Sequence, residues 1–149
     1  MLPVPSTKTP KIHALRTVMR LTLVLIYLTA GVFHLTLPAP FLSITPTWVP
    51  FPHQVVFLTA LCELAGALGL TLPSLRKAAG IGLALYAVAV FPANINHAML
   101  DMSSSHPVLG WWYHIPRFAL QPVLVWAALF ASAWINWPFP RNQAAAPCH

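Results

Sequence analysis

Only two acidic side chains occur in this chain of 149 residues, and one of them, Glu63, sits inside an apolar run. An ionised side chain at the centre of a bilayer costs about 2.5–3.5 kcal/mol on insertion scales, so it persists only where it is neutralised, paired or used. His34, Asn94, His97, Arg117 and Gln121 interrupt other apolar runs in the same way. Their types set the available chemistry. Glu63 and His34 can take or give a proton, while Asn94, Arg117 and Gln121 can donate hydrogen bonds to carbonyl oxygens. His34, His97 and Glu63 also form the ligand set of a two-histidine, one-carboxylate metal centre.

Helical spacing turns these residues toward a common interior. His34 shares a face with Ala30 and Tyr27, Glu63 with Ala60 and Ala67, Asn94 with His97, and Arg117 with Gln121. The small partners allow helices to approach closely. Asn96 lies about 200° around the helix from Asn94 and points elsewhere. Pro92 removes a backbone donor and clashes with the Val88 carbonyl, which predicts a kink and a freed carbonyl near the site.

The elements that must carry these residues are transmembrane helices. With 58% hydrophobic and 7% charged residues, the chain cannot clothe a soluble globule, in which about a quarter of residues are charged. Four apolar stretches, at about 17–37, 54–72, 78–100 and 118–137, each supply roughly the 20 residues that cross a bilayer. The expectation is an all-α, four-span bundle over 16–137, with a flexible basic arm over 1–15 and a tail over 138–149. The first stretch is too long for a cleaved leader and reads as retained.

The net charge of +6 does not indicate a nucleic-acid partner, because the basic residues cluster at the ends of apolar segments rather than over one face. Lys8, Lys11, Arg16 and Arg20 lie before or at the start of the first span, Arg76 and Lys77 lie at the second turn, and Arg141 follows the last span. The positive-inside rule therefore places both termini in the cytoplasm. Arg117 alone lies on the other side.

Glu63 then falls roughly 13 Å into the second span from its outer end, and the other polar residues also lie in the outer half. Together they define one outward-facing pocket. The first loop, 38–53, holds five prolines among apolar residues and reads as an interfacial lid. Trp48 in that loop and Trp111 and Trp112 in the third would line the entrance, at headgroup level. His13, His53, His106 and His149 read as surface residues, with His114 intermediate. Cys62 and Cys148 differ in depth, and no C-x-x-C pair exists.

Several fragments, in order, resemble the DoxX-like family of small four-span membrane proteins: AGVFHL at Ala30–Leu35, TPTWVPFP in the first loop, CELAGALGL at Cys62–Leu70, LPSLRKAAG at the second turn, FPANINHAM at Phe91–Met99 and RFALQPVLVW at Arg117–Trp126. The resemblance covers about residues 15–137. It implies functional roles for His34, Glu63, Asn94, Arg117 and Gln121, and quinone-linked chemistry beside a membrane or periplasmic redox partner in a bacterial inner membrane. Leu35 and His97 depart from the family's usual residues.

Three readings follow. The first is a quinone, or a similar apolar carbonyl compound, held by the outer-half donors, with Glu63 and His34 handling its protons. The second is a metal or haem site at His34, His97 and Glu63. In the third, a Glu63–Arg117 pair locks a non-catalytic bundle that assembles a partner.

Overall fold

A computed structural model describes residues 8–139. Arg141, Cys148 and His149 lie outside the described residues, as do those before Lys8. The described chain is all-helical, with α1 (Lys8–Thr36), α2 (Ala39–Ser43), α3 (Pro52–Thr71), α4 (Arg76–Ser103) and α5 (Gly110–Ala131). All but α2 are long and apolar enough to cross a membrane. The chain is thus a multi-pass membrane protein built as a four-helix bundle. Leu21, Leu25, Leu85 and Val123 remain exposed on its outside, which is the surface lipid requires.

The second and third spans begin and end within a few residues of expectation. The first helix is already formed at Lys8, so part of the stretch expected to be a flexible arm is helical. The fourth span is displaced: the expected 118–137 becomes Gly110–Ala131. Its early start has a local cause. The Asp101 carboxylate accepts hydrogen bonds from the backbone N–H groups of Val108 (3.0 Å), Leu109 (3.3 Å) and Gly110 (2.8 Å), which occupies donors that a helix N-terminus leaves unpaired. At the other end Ala133 adopts φ 64°, and the N–H of Trp134 returns to the Leu129 carbonyl at 2.9 Å. A left-handed residue with such back-bonding stops a helix.

α1 packs mainly on α3, and α4 on α5, while α3 and α4 join the two pairs. At Gly31 the α1–α3 approach leaves no room for a side chain, because a Cβ there would lie 2.8 Å from Leu64 Cγ. One end of the bundle gathers the basic residues. Arg16 Nη2 donates to Ile135 O at 2.9 Å and Asn136 Oδ1 at 2.6 Å, and Trp134 Nε1 donates to Lys77 O at 3.1 Å. These contacts bring the N-terminal part of α1, the start of α4 and the segment after α5 together. Leu23, Leu70, Leu83, Ala84, Ala128 and Ala131 build an apolar core in that half. The polar residues occupy the opposite half.

Candidate functional site

Glu63 is only 4% exposed, and both its oxygens are engaged. His34 Nδ1 lies 2.7 Å from Oε2, and the Tyr86 hydroxyl donates to Oε1 at 2.7 Å. His34 Nδ1 also lies 3.0 Å from the Ala30 carbonyl. A carbonyl only accepts, so Nδ1 carries the hydrogen and shares it between Ala30 and Glu63. Helical phase brings the set together as the spacing requires. Ala60 and Ala67 are fully buried on the Glu63 face of α3, and Tyr27 is buried on the His34 face of α1. The Tyr27 ring meets Tyr86 edge-on at 6.1 Å, yet its buried hydroxyl has no hydrogen-bond partner.

Asn94 and Gln121 join α4 to α5. Asn94 Nδ2 donates to Gln121 Oε1 at 3.1 Å, and Gln121 Nε2 donates to the Ala87 carbonyl. Pro92 crowds the Val88 carbonyl, and the sequence predicts a freed carbonyl near the site. The carbonyl actually used is the neighbouring one, because it faces α5. Asn96 does point away from Asn94, as its phase demands. It donates to Ile44 O at 2.9 Å and so ties the first loop to α4.

Arg117 does not meet Glu63. Its Nη1 lies 2.6 Å from His97 Nδ1, and because a guanidinium can only donate, His97 is the acceptor. The interhelical lock expected between Glu63 and Arg117 is therefore absent: Glu63 is satisfied by His34 and Tyr86, and no ion pair involves Arg117 among the described residues. His97 is likewise turned away from His34 and Glu63. No three His, Cys, Asp or Glu side chains among the described residues are placed to hold a metal ion together, so the proposed His34, His97 and Glu63 ligand set is not assembled.

Behind His97 stands a group the spacing did not single out. His114 is 0% exposed; its ring packs against His97 at 5.2 Å, and its Nε2 lies 3.2 Å from Asp101 Oδ2. Asp101 thus fixes the start of α5 and the imidazole that supports His97. Because α5 begins at Gly110, His114 shares the inward face with Arg117 and Gln121. A fourth span beginning at Phe118 hides that relation.

A cavity of about 960 Å³ opens between the helices, and His34, Glu63, Tyr86, Asn94, Arg117 and Gln121 all line it. The first loop covers one side. Phe41 lies over the His34 ring at 3.7 Å between centroids, and Thr45, Trp48 and Val49 reach the cavity wall. Trp111 and Trp112 do not join Trp48 there. They stand in the first turn of α5, exposed, with Trp112 at 78% and about 200° from His114 around the helix, in the manner of interfacial aromatics. His97 is also outside the lining, behind Arg117.

A family model described as a domain of unknown function, DUF8561, matches residues 23–132. The chain belongs to the DUF8561 family. No curated protein and no solved structure matches it. The DUF8561 match runs from the buried start of the α1 face to the end of α5. It encloses every residue of the cavity's polar wall, together with Asp101 and His114.

Within the DUF8561 domain the site can do two things chemically. The His34–Glu63–Tyr86 cluster can hold and pass a proton, since each member has a titratable group within hydrogen-bond distance of the next. Arg117 offers the cavity N–H donors beyond the one spent on His97. With Glu63 and Asp101 both engaged elsewhere, the chain has no other acidic side chain to meet them.

Proposed function

We propose that this protein is a redox-linked membrane subunit that binds a quinone, or a similar apolar carbonyl compound, in the cavity between its helices. The observation that carries the reading is the deep Glu63 carboxylate, held by His34 and Tyr86 on a wall shared with Asn94, Arg117 and Gln121. A bound quinone would supply an electron acceptor whose oxygens gain charge and need protons. Arg117 and Asn94 are suited to orient those oxygens. Glu63, with His34 at 2.7 Å, is suited to deliver or receive the proton. Trp48 and Phe41, over the cavity, would limit water.

The electrons would come from a membrane or periplasmic redox protein. The resemblance to DoxX-like proteins points the same way and favours a bacterial inner membrane. The basic end then faces the cytoplasm and the polar half faces outward.

The test is quinone binding by the protein in lipid nanodiscs, together with native mass spectrometry of protein released gently from its own membrane. A quinone mass increment in the wild type, lost in Glu63→Gln and Arg117→Ala, is the expected result. Unchanged quinone affinity in both variants would sink the proposal, and a haem or metal increment would replace it.

A further inference from the structure

The cavity does not stop at its polar wall. Toward the basic end it continues as a groove along the exposed edge of the α3–α4 seam, past Gly66, Gly69, Ala78, Ala79 and Gly82, while the helices themselves touch at Gly66–Leu83 and Gly69–Ala79. The stretch of α4 from Ala78 to Tyr86 is about 12 Å long at the helical rise per residue. Small residues usually draw membrane helices together, and at Gly66 they do, since a Cβ there would overlap Leu83. At Gly82 they do not. A Cβ at that position would meet nothing within 4 Å, so α4 borders open space.

Two further observations say what kind of molecule fits. Leu58, 56% exposed, and Leu85, 65% exposed, line the cavity while facing the outside of the bundle. The exposed Cys62 does the same. The opening is therefore sideways, into the hydrocarbon. The second observation is Tyr27, which lines the same cavity with its hydroxyl buried and unpartnered. A buried donor without an acceptor in the cavity's lining leaves a place for a ligand's polar atom.

We infer that the ligand of this site is long-chained: a quinone whose ring lies among His34, Glu63, Asn94 and Arg117 and whose isoprenoid or alkyl tail lies in the α3–α4 groove. This rests on the quinone reading above and narrows it to membrane-dissolved, tailed quinones that load sideways from the bilayer. With the ring alone, the groove beside Gly82 is left to lipid chains. A tail fills it with van der Waals contact, the packing force that remains when lipid is the competing solvent.

The experiment compares a tailed quinone with its tail-less ring analogue, at equal mole fractions in nanodisc lipid, on wild type, Gly82→Leu and Ala78→Leu. Both substitutions place bulk in open groove, and each variant's monodispersity and melting temperature confirm its fold, so either can be read if the other fails. The tailed quinone should weaken by about tenfold in both variants, a change of roughly 1.4 kcal/mol, while the tail-less analogue binds as in wild type. Equal effects on the two quinones, or no effect on either, would overturn the groove assignment and leave the ring site standing. Failure of both quinones to bind wild type would end the inference together with the reading beneath it.

Discussion

The His34–Glu63 contact makes a quantitative claim about stability. His34→Leu removes one of the two side-chain donors that hold a carboxylate only 4% exposed. A buried carboxylate left short of a donor costs more than the roughly 1–3 kcal/mol of a neutral unsatisfied group. Replacing both partners, as in His34→Leu with Glu63→Leu, removes the stranded group. It leaves only the Tyr86 hydroxyl without its acceptor, at about 1–3 kcal/mol. The double variant should therefore be more stable than the His34→Leu single, which is the reverse of additivity. Arg117→Leu should couple to Glu63→Leu by no more than about 0.5 kcal/mol, because the two side chains share no partner. Reversible unfolding in mixed micelles, followed by circular dichroism, measures all of these. A silent His34→Leu together with strong Glu63–Arg117 coupling would refute the pairing described here.

Other predictions follow from single contacts. Asp101→Ala should speed amide hydrogen exchange at Val108–Gly110 and loosen His114, with no comparable change in α3; unaltered exchange there would contradict the cap. Asn96→Leu removes the donor to Ile44 O, which should cost about 1 kcal/mol and raise exchange across Thr45–Val49. Gly66→Ala forces a methyl group against Leu83 and should destabilise by about 1–3 kcal/mol. Gly82→Ala meets open space and should melt no lower than wild type. Thermal melts of the two glycine variants, run side by side, check that contrast.

Much of this arrangement could be read from the residues, for a simple reason. In lipid, a polar side chain must find a protein partner, so its helical phase reveals where the bundle interior lies. That logic put His34, Glu63, Asn94, Arg117 and Gln121 on one cavity, and it sent Asn96 elsewhere. It could not say who pairs with whom, because pairing depends on how neighbouring helices are offset along their axes. Glu63 therefore met His34 and Tyr86 rather than Arg117, and Tyr86 escaped notice because a tyrosine in an apolar run carries no insertion penalty that flags it. His114 was obscured for a different reason. Reading Trp111 and Trp112 as part of the third loop put the fourth span's start at about 118, whereas Asp101, reaching forward to cap the chain, begins the helix at Gly110. Trp111 and Trp112 then turn outward with the first turn.

The sideways opening beside Leu58, Cys62 and Leu85 changes what concentration means for this protein. An occupant that enters by this route must first dissolve in the membrane, where it diffuses in two dimensions and its activity is set by mole fraction among lipids. Aqueous solubility drops out, and a weak intrinsic affinity suffices for high occupancy when the occupant is abundant in the leaflet. It follows that the alkyl chains of a solubilising detergent are competitors, present in large excess. Affinity measured in micelles should rise as detergent is diluted or exchanged for lipid, and its size will reflect the micelle as much as the protein.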